Sequence, residues 1–192
     1  MTHFAALVLV NADEPDYELA VTQLLAPYDE NDEWGRPGSR WDWWMIGGRQ
    51  TGMLDATYDP EKDPANLEPC KFCEGGITTQ RIADRFPAYQ PHVSQTCIQC
   101  KGTGSVSKWP SRWAAFKGDV IPARQIDMDR VRYLPTAVVT PDGKWHERVE
   151  NGYGMFAAPR GPEKAEDEWG REFSALLEAH RDAIAVVVDC HV

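Results

Sequence analysis

Two Cys-x-x-Cys pairs, Cys70-Lys71-Phe72-Cys73 and Cys97-Ile98-Gln99-Cys100, constrain this chain more than any other feature of it. With 23 residues between them, two knuckles can deliver four thiolates to one tetrahedral zinc ion. Four thiolates leave no open position for water, so one structural zinc ion is the expected cofactor and that ion has no catalytic part. Residues 70–104 carry little apolar mass, so the metal must do the work of a core there. Glycines follow each pair, Gly75-Gly76 and then Gly102 and Gly104, and let the backbone turn until its N–H groups face the sulfurs. A redox motif of thioredoxin type would stand once, at a helix start. The fifth cysteine, Cys190, lies far downstream and is not expected to ligate.

The rest of the chain reads as a small mixed domain interrupted by that module. Phe4 to Val10 is a short apolar run with polar bounds, a buried strand. Asp13 caps a predicted helix with Pro15 in its first turn, and Tyr17, Val21, Leu24 and Leu25 fall on one face until Pro27 ends it. Trp41 to Ile46 is a second strand ending at Gly47-Gly48, and residues 55–69 read as linker. Leu134–Thr140 and Lys144–Val149 are strands joined by Pro141-Asp142-Gly143, which has turn chemistry. Gly161-Pro162 opens a helix with an acidic first turn and an apolar stripe of Ala165, Trp169, Phe173, Leu176 and Leu177. A last strand covers Ala183 to Val188 and runs into Asp189-Cys190-His191-Val192. The expected fold is α+β, an antiparallel sheet with two helices on one face, of the ferredoxin-like β-α-β-β-α-β type. Residues 1–64 and 108–192 would form its halves and 65–107 the inserted zinc-binding module.

Outside the module, chemistry-bearing residues fall into two groups. In the first, alternation puts Trp41, Trp43 and Met45 on one strand face and Asp42, Trp44 and Ile46 on the other. An indole left open there could stack on a planar ligand while Arg49 meets a phosphate or carboxylate, so Trp41, Asp42, Trp43 and Arg49 are the candidate ligand site. Gly47-Gly48-Arg49 lacks the spacing of a phosphate loop. In the second group, His146, Glu147, Asp189 and His191 are the residue types for acid–base work or a second metal, provided the fold brings them together. Asp189 and His191 share a face, and Cys190 points the other way. The cluster Tyr28-Asp29-Glu30-Asn31 could add ligands for a hard cation, although its spacing matches no calcium loop.

Charge is unevenly spread. The formal net charge is −10, which argues against a surface devoted to nucleic acid. Residues 1–34 hold eight carboxylates and no Lys or Arg, whereas residues 65–135 hold ten basic side chains against six acidic ones. The first suits docking on a basic protein surface. The second leaves room for nucleic-acid binding through the zinc module, a weaker alternative. No run approaches the roughly 18 apolar residues of a membrane span, and Met-Thr-His-Phe has neither the basic region nor the cleavage site of a secretory signal, so a cytoplasmic protein is expected.

Two resemblances add to this reading. The cysteine pairs resemble the DnaJ-type cysteine-rich zinc module, whose repeats read C-x-x-C-x-G-x-G. The second pair matches fully, while the first departs at Ile77. The resemblance implies the metal geometry only, because the several repeats and the chaperone context of that module are missing. Leu24-Leu25-Ala26-Pro27-Tyr28-Asp29-Glu30-Asn31, Trp41-Asp42-Trp43-Trp44 with Ile46-Gly47-Gly48-Arg49, Thr140-Pro141-Asp142-Gly143-Lys144-Trp145 and Val188-Asp189-Cys190-His191-Val192 together resemble a family of small phage- and prophage-encoded proteins of unassigned role. That resemblance implies a bacterial host cytoplasm and an accessory protein that binds, and could inhibit, a host protein. The first reading is therefore a binding protein, with an enzymatic role left open. The alternative is a nucleotide- or small-ligand-binding protein, or a metal-assisted hydrolase, that uses the Trp/Arg strand and the His and Asp residues.

Overall fold

A computed structural model describes residues 3–31, 38–77, 96–108, 113–148 and 163–192. The chain forms two compact units, residues 1–58 with 114–192 and residues 59–113.

The larger unit is built on two central strands, β1 (His3–Val10) and β8 (Ile184–His191). Both are nearly continuous apolar runs, as strands covered on both faces must be. They pair antiparallel along their whole length, from His3 opposite His191 to Val10 opposite Ile184. On the far side of β1, β6 (Ala137–Val139) runs parallel to it, and β7 (Trp145–Glu147) pairs antiparallel with β6. The outer edge of β8 takes β5 (Val120–Pro122) beside its first residues and β2 (Trp43–Ile46) beside its last four.

Two helices are present among the described residues. In α1 (Tyr17–Leu25) the cap is Asp16 and not Asp13, its carboxylate accepting from the Leu19 N–H at 3.0 Å. Its Ala20, Val21 and Leu25 pack on Phe4, Ala6, Val8 and Val10. In α2 (Glu166–Ala179) the acidic first turn is Glu166, Asp167 and Glu168. Its Trp169, Phe173 and Leu177 pack on Leu7, Leu9 and Val187, and the Trp169 indole donates to the Pro135 carbonyl at 2.8 Å. Of the expected stripe, Ala165 is exposed and Leu176 half-buried; the Gly161-Pro162 opening lies outside the described residues.

Even- and odd-numbered residues of β1 belong to different clusters, so the helices cover opposite faces of the sheet. This corrects the expected ferredoxin-like arrangement in two respects: the helices do not share a face, and the β1–β6 pair makes the sheet mixed. The fold is a mixed α/β layer structure. The order of elements alone did not reveal that β8, the last strand, inserts next to β1. No described helix is long and apolar enough to cross a membrane.

In the smaller unit, the stretch expected as linker contains a short turn capped by Asp63 and strand β3 (Leu67–Pro69), which pairs antiparallel with β4 (Ser105–Ser107). The buried Asn66 amide donates to the Pro60 carbonyl at 3.0 Å.

Candidate functional site

The smaller unit positions the four cysteines from the ends of the β3–β4 ladder. Cys70 follows β3, its N–H donating to the Gly104 carbonyl at 2.9 Å, and the Cys97 N–H donates to the Gly76 carbonyl at 2.8 Å. A Cβ on Gly76 would stand 2.1 Å from the Gly102 carbonyl oxygen, so only glycine lets the two knuckles approach so closely. The sulfurs of Cys70, Cys73, Cys97 and Cys100 all lie within 4.8 Å of one another, with Cys70–Cys97 at 3.8 Å and Cys73–Cys100 at 3.5 Å. A tetrahedral ion with bonds of about 2.3 Å to sulfur needs edges of about 3.8 Å. The quartet therefore fits a four-coordinate metal ion. Burial pushes the Cys73 thiol up to about 12. Burial opposes ionisation of Cys100 too, but the Gly104 N–H and the neighbouring Cys73 thiol bring it down to about 6. Among the described residues, no other set of three or more Cys, His, Asp or Glu ligand atoms gathers so tightly.

A second constellation forms in the larger unit, where the first residue of β1 meets the last of β8. His3 and His191 are register partners, and their rings stand 5.0 Å apart at 71°. The Nδ1 of His3 lies 3.0 Å from Asp189 Oδ1, and the Nδ1 of His191 lies 2.6 Å from Asp42 Oδ1. A carboxylate only accepts, so each Nδ1 carries a hydrogen, and in the neutral form of either ring the lone pair is on Nε2. Both imidazoles are mostly buried, with 13% and 15% of their side-chain surface exposed.

Asp189 is fully buried and serves three donors: the His3 ring, the Gln50 amide at 3.3 Å and the Arg49 backbone N–H at 2.9 Å. Tyr133 holds Gln50 in turn, its hydroxyl donating to Oε1 at 2.7 Å. The glycine pair explains how the backbone reaches a buried carboxylate. Gly48 has φ +54, and a Cβ there would stand 2.6 Å from Asp189 Oδ2. Trp43 lies opposite His191 in the ladder, is 42% exposed, and meets the His3 ring edge-on at 6.2 Å.

Of the residues expected to act, Asp42, Trp43, Asp189 and His191 come together here, and Arg49 joins them through its backbone, with an exposed side chain. Trp41 does not. Regular alternation begins only at Trp43, and Trp41 turns into the core on the α1 side, its indole donating to the Leu25 carbonyl at 3.1 Å. Glu147 is buried in a two-bond pair with Arg40, 3.2 Å for each bond, and also accepts from the Trp145 indole. His146 faces Glu172 of α2 at 3.5 Å. Both sit on β7, the opposite edge strand from β2, which separates them from His191 and Asp189.

The Tyr28–Asn31 cluster forms a brace, and it is not among the sets of three or more ligand atoms that gather in the described residues. Asp29 Oδ1 accepts from the backbone and side chain of Asn31, whose amide also donates to the Asp42 carbonyl at 2.7 Å. Cys190 is buried among Phe4 and Val188 on the other face, and burial raises its thiol well above the usual range. Comparison of the chain with protein-family models, curated proteins and solved structures gives no match. Two surface depressions, one lined by Asn11, Asp13 and His180 and the other by Arg124, Met128 and Glu178, include none of the site residues. The histidine site lies at the end of the central β1–β8 ladder, with both imidazoles mostly buried.

Proposed function

We propose that this chain is a zinc-stabilised protein that binds a small planar anion of the nucleotide type at the His3–His191 end of the sheet and performs proton transfer on it. One observation carries the reading: two adjacent imidazoles each have Nδ1 tied to a carboxylate, beside a half-exposed tryptophan. With Nδ1 fixed, Nε2 is the working atom of each ring. One neutral ring can take a proton while its protonated neighbour gives one, the division of labour that hydrolysis of a phosphate ester requires. Trp43 offers a face for a base, and the exposed Arg49 side chain offers charge for a phosphate. The zinc ion, in the thiolate site, supplies folding energy and takes no part in this chemistry.

Fluorescence titration of the full chain with nucleoside monophosphates tests the reading. Binding is expected in the parent protein and is lost in Trp43→Ala and His191→Ala. Affinity unchanged in both variants, or no binding by any nucleotide, removes it.

A second reading, the phage accessory protein that engages a host protein in the bacterial cytoplasm, has its own support. The knuckles of the smaller unit expose Phe72 at 52% and Ile98 at 81%, apolar side chains that a partner protein would cover. A host protein crosslinked by the parent chain and by Trp43→Ala, but lost from a Phe72→Ser/Ile98→Ser double variant, would move the function to that surface.

A further inference from the structure

We infer that His3 and His191 also form the protein half of a second metal site, taking one divalent first-row transition ion through their two Nε2 atoms. The inference rests on the proposed ligand site and changes how it works: with an ion on both Nε2 atoms the rings no longer exchange protons themselves, and a water on the ion takes over that part. Three features point to a metal.

The first is the second shell. Metal-bound histidines characteristically donate the other ring N–H to a carboxylate, which fixes the ring and raises its basicity. Both rings have that partner, Asp189 for His3 at 3.0 Å and Asp42 for His191 at 2.6 Å. Asp189 is itself anchored by the Arg49 N–H and by Gln50, so the support extends a further step.

The second is distance. An ion about 2.1 Å from each Nε2 stands about 3.2 Å from each ring centroid, and an angle near tetrahedral then separates the centroids by about 5 Å. The observed separation is 5.0 Å.

The third is placement. The rings come from register partners on the two longest strands of the sheet, so their spacing is fixed by ladder hydrogen bonds and not by a loop. Two protein ligands leave the remaining positions of the ion to water or substrate. Such an ion is the kind that polarises a phosphoryl oxygen, and it is bound more weakly than one held by four thiolates.

The test is the metal count of the full chain by native mass spectrometry during titration with zinc chloride, with histidine Nε2 signals followed by long-range proton–nitrogen NMR. The parent protein is expected to take a second equivalent after the thiolate site fills, with the Nε2 signals of His3 and His191 moving together. His191→Ala loses that equivalent, and Asp42→Asn, which keeps both ligands, weakens it by about 10–100-fold. A parent protein that stops at one equivalent under excess zinc overturns the inference. So does a second ion that survives in both His3→Ala and His191→Ala. The parent spectra decide even where a variant fails to fold. Failure of the inference is distinguishable from failure of the ligand reading: a nucleotide that still moves the His191 signals without a second ion leaves the ligand site standing, whereas a second ion without nucleotide binding removes that reading alone.

Discussion

His3 and His191 face each other as register partners at the end of the β1–β8 ladder, each tethered through Nδ1 to a different carboxylate. The tether to Asp189 is the buried one. In Asp189→Asn the amide group would meet either the His3 N–H or the Arg49 N–H with a donor where an acceptor is needed. An unsatisfied buried polar group costs about 1–3 kcal/mol, and urea unfolding should show a loss in that range. A loss below about 0.5 kcal/mol would mean that the neighbourhood relaxes and that Asp189 does not fix His3.

Gly48 and Gly143 make a controlled pair. Both have positive φ, +54 and +80, but a Cβ at Gly143 meets nothing within 4 Å while one at Gly48 runs into Asp189. Gly143→Ala should cost about 1 kcal/mol from backbone strain alone. Gly48→Ala adds a steric conflict to similar strain and should cost clearly more, while also moving the Arg49 N–H off Asp189. Equal losses in parallel denaturation curves would count against that approach as the reason for the glycine.

The sequence carries the elements more clearly than their neighbours. Alternation along β8 places Asp189 and His191 on one face and Cys190 on the other, as observed, because period two is a local property of a strand. His3 is not singled out by any motif. Its role depends on β1 lying beside β8, and a pairing between residues 3 and 191 leaves no mark within either segment. The same non-locality separates His146 and Glu147 from the site, since β7 reads as an ordinary hairpin strand and its position at the far edge is set by the parallel β1–β6 pair. The cysteine quartet is legible because its spacing encodes the chemistry directly. Trp41 misleads because its segment is braced by Tyr28–Asn31 before strand geometry begins at Trp43.

Asp119 gives a pH dependence of known sign. It is fully buried, and burial raises its carboxyl above the ordinary value despite donors from Thr51, the Gly52 N–H at 2.8 Å and the Phe116 N–H at 3.0 Å. A raised folded value means that the folded state holds the proton longer than the unfolded chain does. The contribution of Asp119 to stability is complete below the unfolded carboxyl value, about 3.9, and is lost as pH rises through the raised folded value. The stability of the parent protein minus that of Asp119→Asn should therefore fall with rising pH across that window and then level off. A difference that grows with pH would show that the three donors outweigh burial.

Metal removal separates the two units energetically. In the smaller unit the buried apolar cluster consists of Cys70, Cys97 and Cys100, with Cys73 and Val106 against it, so the ligands are themselves the core. Structural zinc sites contribute apparent binding energies of about 10–16 kcal/mol, which in such modules is folding energy. The larger unit has two apolar clusters of its own, one on each face of the sheet, and neither includes a metal ligand. Chelation should thus abolish hydrogen-exchange protection of the β3 and β4 amides while those of β1 and β8 keep theirs. Cys97→Ser, at a position 1% exposed, should reproduce the chelated pattern without chelator. Protection of β3 and β4 that outlasts metal removal would mean that the knuckle glycines and the short ladder suffice to hold the module, and the quartet would then be free to serve as something other than a structural site.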